Sequence, residues 1–304
     1  MESLLSFLLA LVLAPLFPGL ILKTKAFVAG KQGPPLLIKY FTLAKLLRKG
    51  SVYSTSTSVI FRLGPVVSCA TAALVLAFLP FAGIMPLVAF AGDVILVFYL
   101  LGLGRFFTVI AALDTGSPFE GMGAAREVFF STLGELATFV VLVVFFRLNG
   151  TFSLAGYFTG SQSISIVGPQ GALLLLVIVS LFMILLAENS RVPVDDPATH
   201  LELTMIHEVM ILDHSGPDLA LIELGAFYKL LFYAACVANL LKPFTATSPL
   251  TDVPLYYGLI ALIYLVIGLI ESLTARLKMP LVPKYLLTSA ALAFLAVVLT
   301  MELV

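Results

Sequence analysis

The chain has 304 residues, 61% of them hydrophobic and only 11% charged, and its formal net charge is zero. A soluble domain carries roughly 25% charged residues, so this chain cannot cover its surface with polar groups and must face lipid. Charge neutrality likewise excludes the basic footprint of a nucleic-acid binder.

Two cysteines, Cys69 and Cys236, lie inside apolar runs. An iron–sulfur cluster is usually held by about four thiolates, so this chain is expected to hold no cofactor of its own. The N-terminus begins Met-Glu and lacks the positive segment and small-residue cleavage site of a signal peptide, so the first apolar run reads as a retained helix.

A transmembrane helix needs about 20 mostly apolar residues to cross a hydrocarbon core about 30 Å thick. Eight runs qualify: 3–22, 59–82, 86–112, 127–147, 168–187, 218–241, 254–272 and 285–303. Pro80, Gly83 and Pro86 mark a tight turn between the second and third. The expected fold is an all-α integral membrane protein, one membrane domain over residues 1–304, with no internal repeat.

Cations set the orientation. After the first span come Lys23, Lys25, Lys31, Lys39, Lys45, Arg48, Lys49 and Arg62; after the seventh come Arg276, Lys278 and Lys284. Arg126 and Arg191 belong to two further segments on the same side, whereas the opposite side has Arg147 and Lys242. This asymmetry predicts cytoplasmic charged loops and both termini outside. In the first loop, Leu36 to Lys49 follows a Gly33-Pro34-Pro35 turn and sets Lys39, Thr42, Lys45 and Lys49 along one stripe. That pattern predicts an interfacial amphipathic helix whose lysines meet anionic lipid or a docked partner.

Charges inside spans need a reason, because one at the centre of a lone membrane helix costs roughly 2.5–3.5 kcal/mol. The third span has Asp93 and Arg105, the fourth Glu127 and Glu135, and the sixth Glu223 and Lys229; Glu188 and Glu271 end the fifth and seventh. Glu127 and Glu135 lie eight residues apart, about 80° beyond two full turns, hence on roughly one side. Pairing between neighbours would suffice for Glu271 and Arg276. Glu135 is mid-span with no sequence-local cation, and a carboxylate there stays charged only at a cost unless a partner or water reaches it. A group poised between charged and neutral is what a proton relay requires.

The segment from Glu188 to Asp218 holds all three histidines and seven carboxylates. His200, His207 and His214 recur at i, i+7 and i+14, two turns apart on a helix and too far for adjacent ligands on one ion, so a metal site is not expected. Val192, Val194, Leu201, Leu203, Met205 and Ile206 are too apolar for a plain solvated loop. A structured acidic loop that lines a cavity or grips a partner fits better.

Glu188-x-x-Arg191-x-Pro193-x-Asp195 resembles the signature of the membrane subunit at the heel of respiratory complex I and of its relatives in the group 4 membrane-bound nickel–iron hydrogenases. Arg105-Phe106-Phe107, then Leu113-Asp114-Thr115-Gly116-Ser117-Pro118-Phe119 and Gly123-Ala124-x-Arg126-Glu127, are similar to the hydrogenase branch, including formate hydrogenlyase and hydrogenase-4. Gly92-Asp93, Asp213-x-Ser215-Gly216, Lys229 and Glu271-x-x-x-Ala275-Arg276 continue the likeness over nearly the whole chain. There are departures: where the complex I loop has a dense run of glutamates, this chain has Asp195-Asp196-Pro197-Ala198-Thr199-His200-Leu201-Glu202-Leu203, which puts quinone chemistry in doubt.

The resemblance implies soluble partners on the cytoplasmic face that carry a NiFe centre and iron–sulfur clusters, antiporter-like membrane subunits alongside, and residence in a prokaryotic inner membrane. It implies an acidic path through Glu188, Asp195, Glu202, Glu127, Glu135 and Glu223, with Asp93 and Lys229 as further members and Arg191 and Arg126 as charge partners. The docking loop would present Pro193, Asp196, His200, His207, Glu208, Asp213 and His214. Three readings compete: a coupling subunit of a hydrogenase-type complex, possibly one without hydrogenase activity; a complex I-type subunit with a quinone site; and a stand-alone transporter or passive anchor.

Overall fold

The structure, a computed structural model, describes residues 1–159, 170–196, 204–241 and 249–303. It is built of helices α1 Glu2–Leu13, α2 Phe17–Val28, α3 Ile38–Leu47, α4 Val59–Leu76, α5 Asp93–Asp114, α6 Pro118–Asn149, α7 Leu154–Phe158, α8 Gly171–Glu188, α9 Gly216–Leu241, α10 Pro249–Leu273 and α11 Val282–Leu303. Among the described residues these make eight membrane-length apolar segments, with α1 and α2 together forming the first. The only β feature among the described residues is an isolated bridge between Phe81 and Ile84, inside the turn expected from Pro80 and Gly83.

Helix ends follow local chemistry. Ser58 caps α4 by accepting the Ile60 N–H at 3.2 Å. Ser117 precedes Pro118 at the start of α6, and Gly150 ends that helix in the left-handed region. The first span breaks at residues 14–16, between Ala14 and Pro18; a proline ring removes a backbone donor and crowds the preceding turn.

The first span runs on to Val28 and the helix of the second stops at Leu76, and two span starts shift further from expectation. The fourth span begins at Pro118, not residue 127, and its 32 residues make α6 about 48 Å long, well beyond a bilayer core. Glu120, Arg126 and Glu127 are therefore helical and ride on the protruding first turns. The third begins at Asp93, because residues 86–92 pack as a turn instead of continuing the apolar run.

α9 is the central helix: 72% of its most apolar stretch is buried, against 28–50% in the other spans. It packs on α4, α8, α10 and the amphipathic α3; α4 lies closely along α5, and α11 closes the bundle against α6 and α8. The connections after α2, α5, α8 and α10 emerge at one end of the bundle, the loop face, and both termini at the other, the terminal face. On the loop face the first connection is sewn to the third. Ser215 Oγ accepts the Val52 N–H at 3.1 Å, and the Phe61 ring stacks on His214 with centroids 3.9 Å apart. Gly216 is required there: its φ is +57°, and a Cβ would stand 2.6 Å from the Gly50 carbonyl oxygen.

Candidate functional site

Glu188 is the last residue of α8, and its carboxylate is almost fully buried, 5% exposed. It accepts from Arg105 Nη2 of α5 at 2.6 Å and from Lys229 Nζ of α9 at 2.8 Å. The same guanidinium donates through Nη1 to Glu135 and lies 3.8 Å, through Nε, from Glu127, both on α6. One arginine thus gathers three carboxylates from two neighbouring helices. Arginine suits this because its planar fork presents separate donors in fixed directions, which a lysine cannot do. Gly134 makes the room: a Cβ there would sit 3.0 Å from Glu188 Oε1.

The loop that follows Glu188 is folded where it is described. Asp195, 1% exposed, accepts the N–H groups of Ile206 and His207, each at 3.2 Å, and pairs with Arg276 at 2.9 Å. Arg276 also holds the Thr204 carbonyl, and the Leu277 N–H donates to the Pro193 carbonyl at 2.8 Å. Val194 and Ile206 pack on Val282 and Leu286 of α11. A 3₁₀ turn, Glu208–Ile211, fits against α6, where Glu120 accepts the Asp213 N–H at 3.1 Å. Arg126 donates to the Met205 carbonyl at 2.9 Å.

Around this frame lies a second charged group. Glu271, with 1% of its side chain exposed, pairs with Lys25 at 3.0 Å and Arg191 at 3.4 Å. Lys39 pairs with Glu223 at 3.6 Å and sits over the Phe227 ring. Burial holds the Glu208 carboxyl above its ordinary 4.5; Glu223 and Asp195 push the same way, and His207 and Lys39 oppose.

These groups line abutting cavities. One of about 310 Å³ opens among Lys25, Lys39, Arg191, Glu208, Glu223 and Glu271. A smaller one of about 80 Å³, walled by Arg105, Glu127, Glu188, His207 and Lys229, shares Asn189, Ser190 and His207 with it. Arg105 and Glu188 then form part of the wall of a third space, about 570 Å³, between α5 and α6. The first two, lined by these charged groups, have room for waters, so a series of titratable groups and water-sized spaces runs from the loop face as far as Arg105 and Glu188.

Over residues 1–301 the chain matches the NADH dehydrogenase family. It belongs to that family. Hydrogenase-4 component C of Escherichia coli (strain K12) is 29% identical over 273 residues, covering 88% of this chain and 84% of that one. Formate hydrogenlyase subunit 4 of the same organism is 28% identical over 303 residues, with coverages of 96% and 95%. An NADH-quinone oxidoreductase subunit of Pelagibacter ubique is 25% identical over 217 residues, covering 69% and 63%. A chain in the structure of the membrane-bound sulfane sulfur reductase, an archaeal respiratory membrane complex, superposes with a TM-score of 0.83 at 20% identity over 98% of both chains, which shows a shared fold. The resemblance read from Arg105-Phe106-Phe107 and Glu188-x-x-Arg191 is therefore one of descent within the NADH dehydrogenase family.

In this family member the structure brings Glu188, Glu127, Glu135 and Lys229 together, with Asp195 and Glu223 in adjoining walls. Asp93 stands apart. It is buried at the other end of α5, twelve residues or about 18 Å from Arg105, where it accepts from Ser153 Oγ and the Leu154 N–H, each at 2.9 Å. That geometry ties down the connection after α6. Glu202 and His200 lie outside the described residues. Asp196 follows the Asp195 anchor with its N–H on the Asp195 carboxylate at 3.0 Å.

Sequence neighbours do not always pair. Glu271 and Arg276 take different partners, Lys25 with Arg191 and Asp195 respectively. Glu135, without a cation nearby in sequence, has Arg105 from the adjoining helix. Arg105, Lys25 and Lys39 join the site from outside the residues that the sequence singles out for the path. For Arg105 the signal is present, since a cation nine residues inside a span end must have acidic company.

Proposed function

We propose that this chain is the membrane-anchoring, ion-coupling subunit of a complex I-like energy-converting hydrogenase in a prokaryotic cytoplasmic membrane. Redox chemistry in a docked soluble arm, which would hold the NiFe centre and iron–sulfur clusters, is linked through it to movement of a proton or sodium ion; antiporter-like membrane subunits continue the path. The observation that carries this reading is the position of Glu188. It joins both cations of the cluster, Arg105 and Lys229, and is also the residue from which the folded loop departs, so a displacement of the loop acts directly on its ion pairs. Arg105 and Lys229 hold its charge in one state. Withdrawal of either leaves a buried carboxylate with one cation fewer, which favours proton uptake.

Family membership and the likeness to the hydrogenase-4 and formate hydrogenlyase subunits support the reading. Ala198 and His200, standing where the complex I loop is acidic, weigh against a quinone site. A related assembly without hydrogenase activity is the alternative. Purifying the intact complex from membranes, identifying its subunits and metals, and measuring ion uptake during turnover in proteoliposomes tests the proposal. Nickel, iron–sulfur partners and redox-driven uptake are expected. A chain that purifies alone and transports ions alone overturns it.

A further inference from the structure

The space between α5 and α6 opens through the outer surface of the bundle, where lipid or a neighbour would lie. Its walls are apolar and aromatic, from Phe98, Tyr99, Leu103, Phe106, Phe139 and Leu142, and its volume is about 570 Å³. Several of these side chains are left largely bare by the rest of the chain: Tyr99 is 73% exposed, and Phe106 and Phe139 are each 56% exposed. At its inner end stand Arg105, Glu188 and Glu135. Glu135 is the odd member, for 44% of its carboxylate-bearing side chain is open to the cleft while Glu188 is 5% exposed.

The charges paired around Arg105 do not balance among the described residues. Glu127, Glu135 and Glu188 are set against Arg105 and Lys229, one anion in excess. The most exposed of the three carboxylates faces the opening, so the cleft is negative at its floor and apolar on its sides. Acyl chains would fill the sides and leave that carboxylate against hydrocarbon. A lipid headgroup cannot reach it, because Glu135 is fourteen residues, about 21 Å, from the terminal-face end of α6. It is also deep from the loop face, beyond Glu127 by two turns.

From this charge complementarity we propose that the cleft is the seat of a transmembrane helix from a second membrane subunit, which carries a lysine or arginine opposite Glu135. The incoming cation completes the balance of the cluster, and the aromatic walls pack against the helix on either side of it. The inference rests on the reading of this chain as one subunit of a multisubunit membrane complex. It adds where a neighbour docks and which side chain that neighbour must bring.

A photo-reactive benzoylphenylalanine at Phe139 tests it, with a second placed at Tyr99 on the opposite wall; both replace one exposed aromatic group by another, so assembly is expected to survive. Membranes containing the whole complex are irradiated, the complex is purified, and adducts are mapped by mass spectrometry. The expected result is an adduct from both positions to one transmembrane helix of another subunit, with a lysine or arginine within two turns of the attachment point. Adducts to lipid alone, no adduct, or attachment to a helix without such a cation each overturn the proposal. Ion uptake by an E135Q complex is read separately. Its loss together with lipid-only adducts removes the docking helix and leaves the relay; its persistence together with the expected adduct does the reverse.

Discussion

Arg105 Nη2 lies 2.6 Å from Glu188 Oε2, joining the middle of α5 to the end of α8. Neither residue is near the other in sequence, and both lie within spans that are mostly apolar. Removing the arginine strands the carboxylates it gathers. Breaking a buried pair by deleting one partner costs about 3–5 kcal/mol. R105L is therefore expected to abolish accumulation of the subunit in membranes. R105K keeps a charge but cannot direct donors at two carboxylates at once, and is expected to restore the protein to near-normal amounts with ion uptake reduced tenfold or more. Immunoblotting and proteoliposome assays on the same preparations check both.

E135Q preserves the shape of the side chain and still offers Arg105 an oxygen to donate to, while Glu127 and Glu188 keep the guanidinium charge-paired. The subunit itself is expected to accumulate normally in membranes, and redox-linked ion uptake to vanish. Normal uptake takes Glu135 out of the path.

His214 is buried face to face with Phe61, and this burial pushes its titration below the ordinary 6.5; Asp218 and Asp213 oppose the shift. The folded state thus prefers the neutral ring. Its contribution to stability is complete above about pH 6.5, the unfolded value, and is lost as pH falls through the lower folded value. H214F keeps the stack and removes the titration. The melting temperature of the variant is expected to change less than that of the parent between pH 7.5 and pH 5, a comparison scanning fluorimetry can make.

The cation asymmetry predicts that the loop face is cytoplasmic. Reporter fusions at residue 200 are expected to give cytoplasmic signals, and fusions after residue 303 external ones. A periplasmic signal at residue 200 inverts the topology.

On that face, the segment 23–58 is joined to the loop 188–217 by Val52 and Ser215 and, through the helices that follow each, by Phe61 of α4 on His214 and by Lys39 with Glu223 of α9. We propose that together they form the docking platform for the soluble arm. Lysine-directed cross-linking of the intact complex is expected to join Lys31, Lys45 or Lys49 to an iron–sulfur subunit. Cross-links to that subunit from Lys242, expected on the opposite face, contradict both platform and orientation.

Much of this was legible in the sequence for a simple reason. A bilayer imposes length and polarity on each span independently, so the eight helices, the amphipathic α3 and the unusual charges inside spans can each be read without knowing the others. The motif around Glu188 and Arg191 likewise identified the family. Partner choice was not legible, because it depends on which helices become neighbours. Glu135 and Arg105 are thirty residues apart, Lys25 and Glu271 lie near opposite ends of the chain, and Arg276 bypasses Glu271 for Asp195. Asp93 shows the same limit. By sequence it is another intramembrane carboxylate, but the fold sets it at the far end of α5 from Arg105, as an anchor for the connection at Ser153 and Leu154. Ion pairing acts over a few ångströms in space, and only the packing of α5, α6, α8 and α9 decides which charges come within that reach.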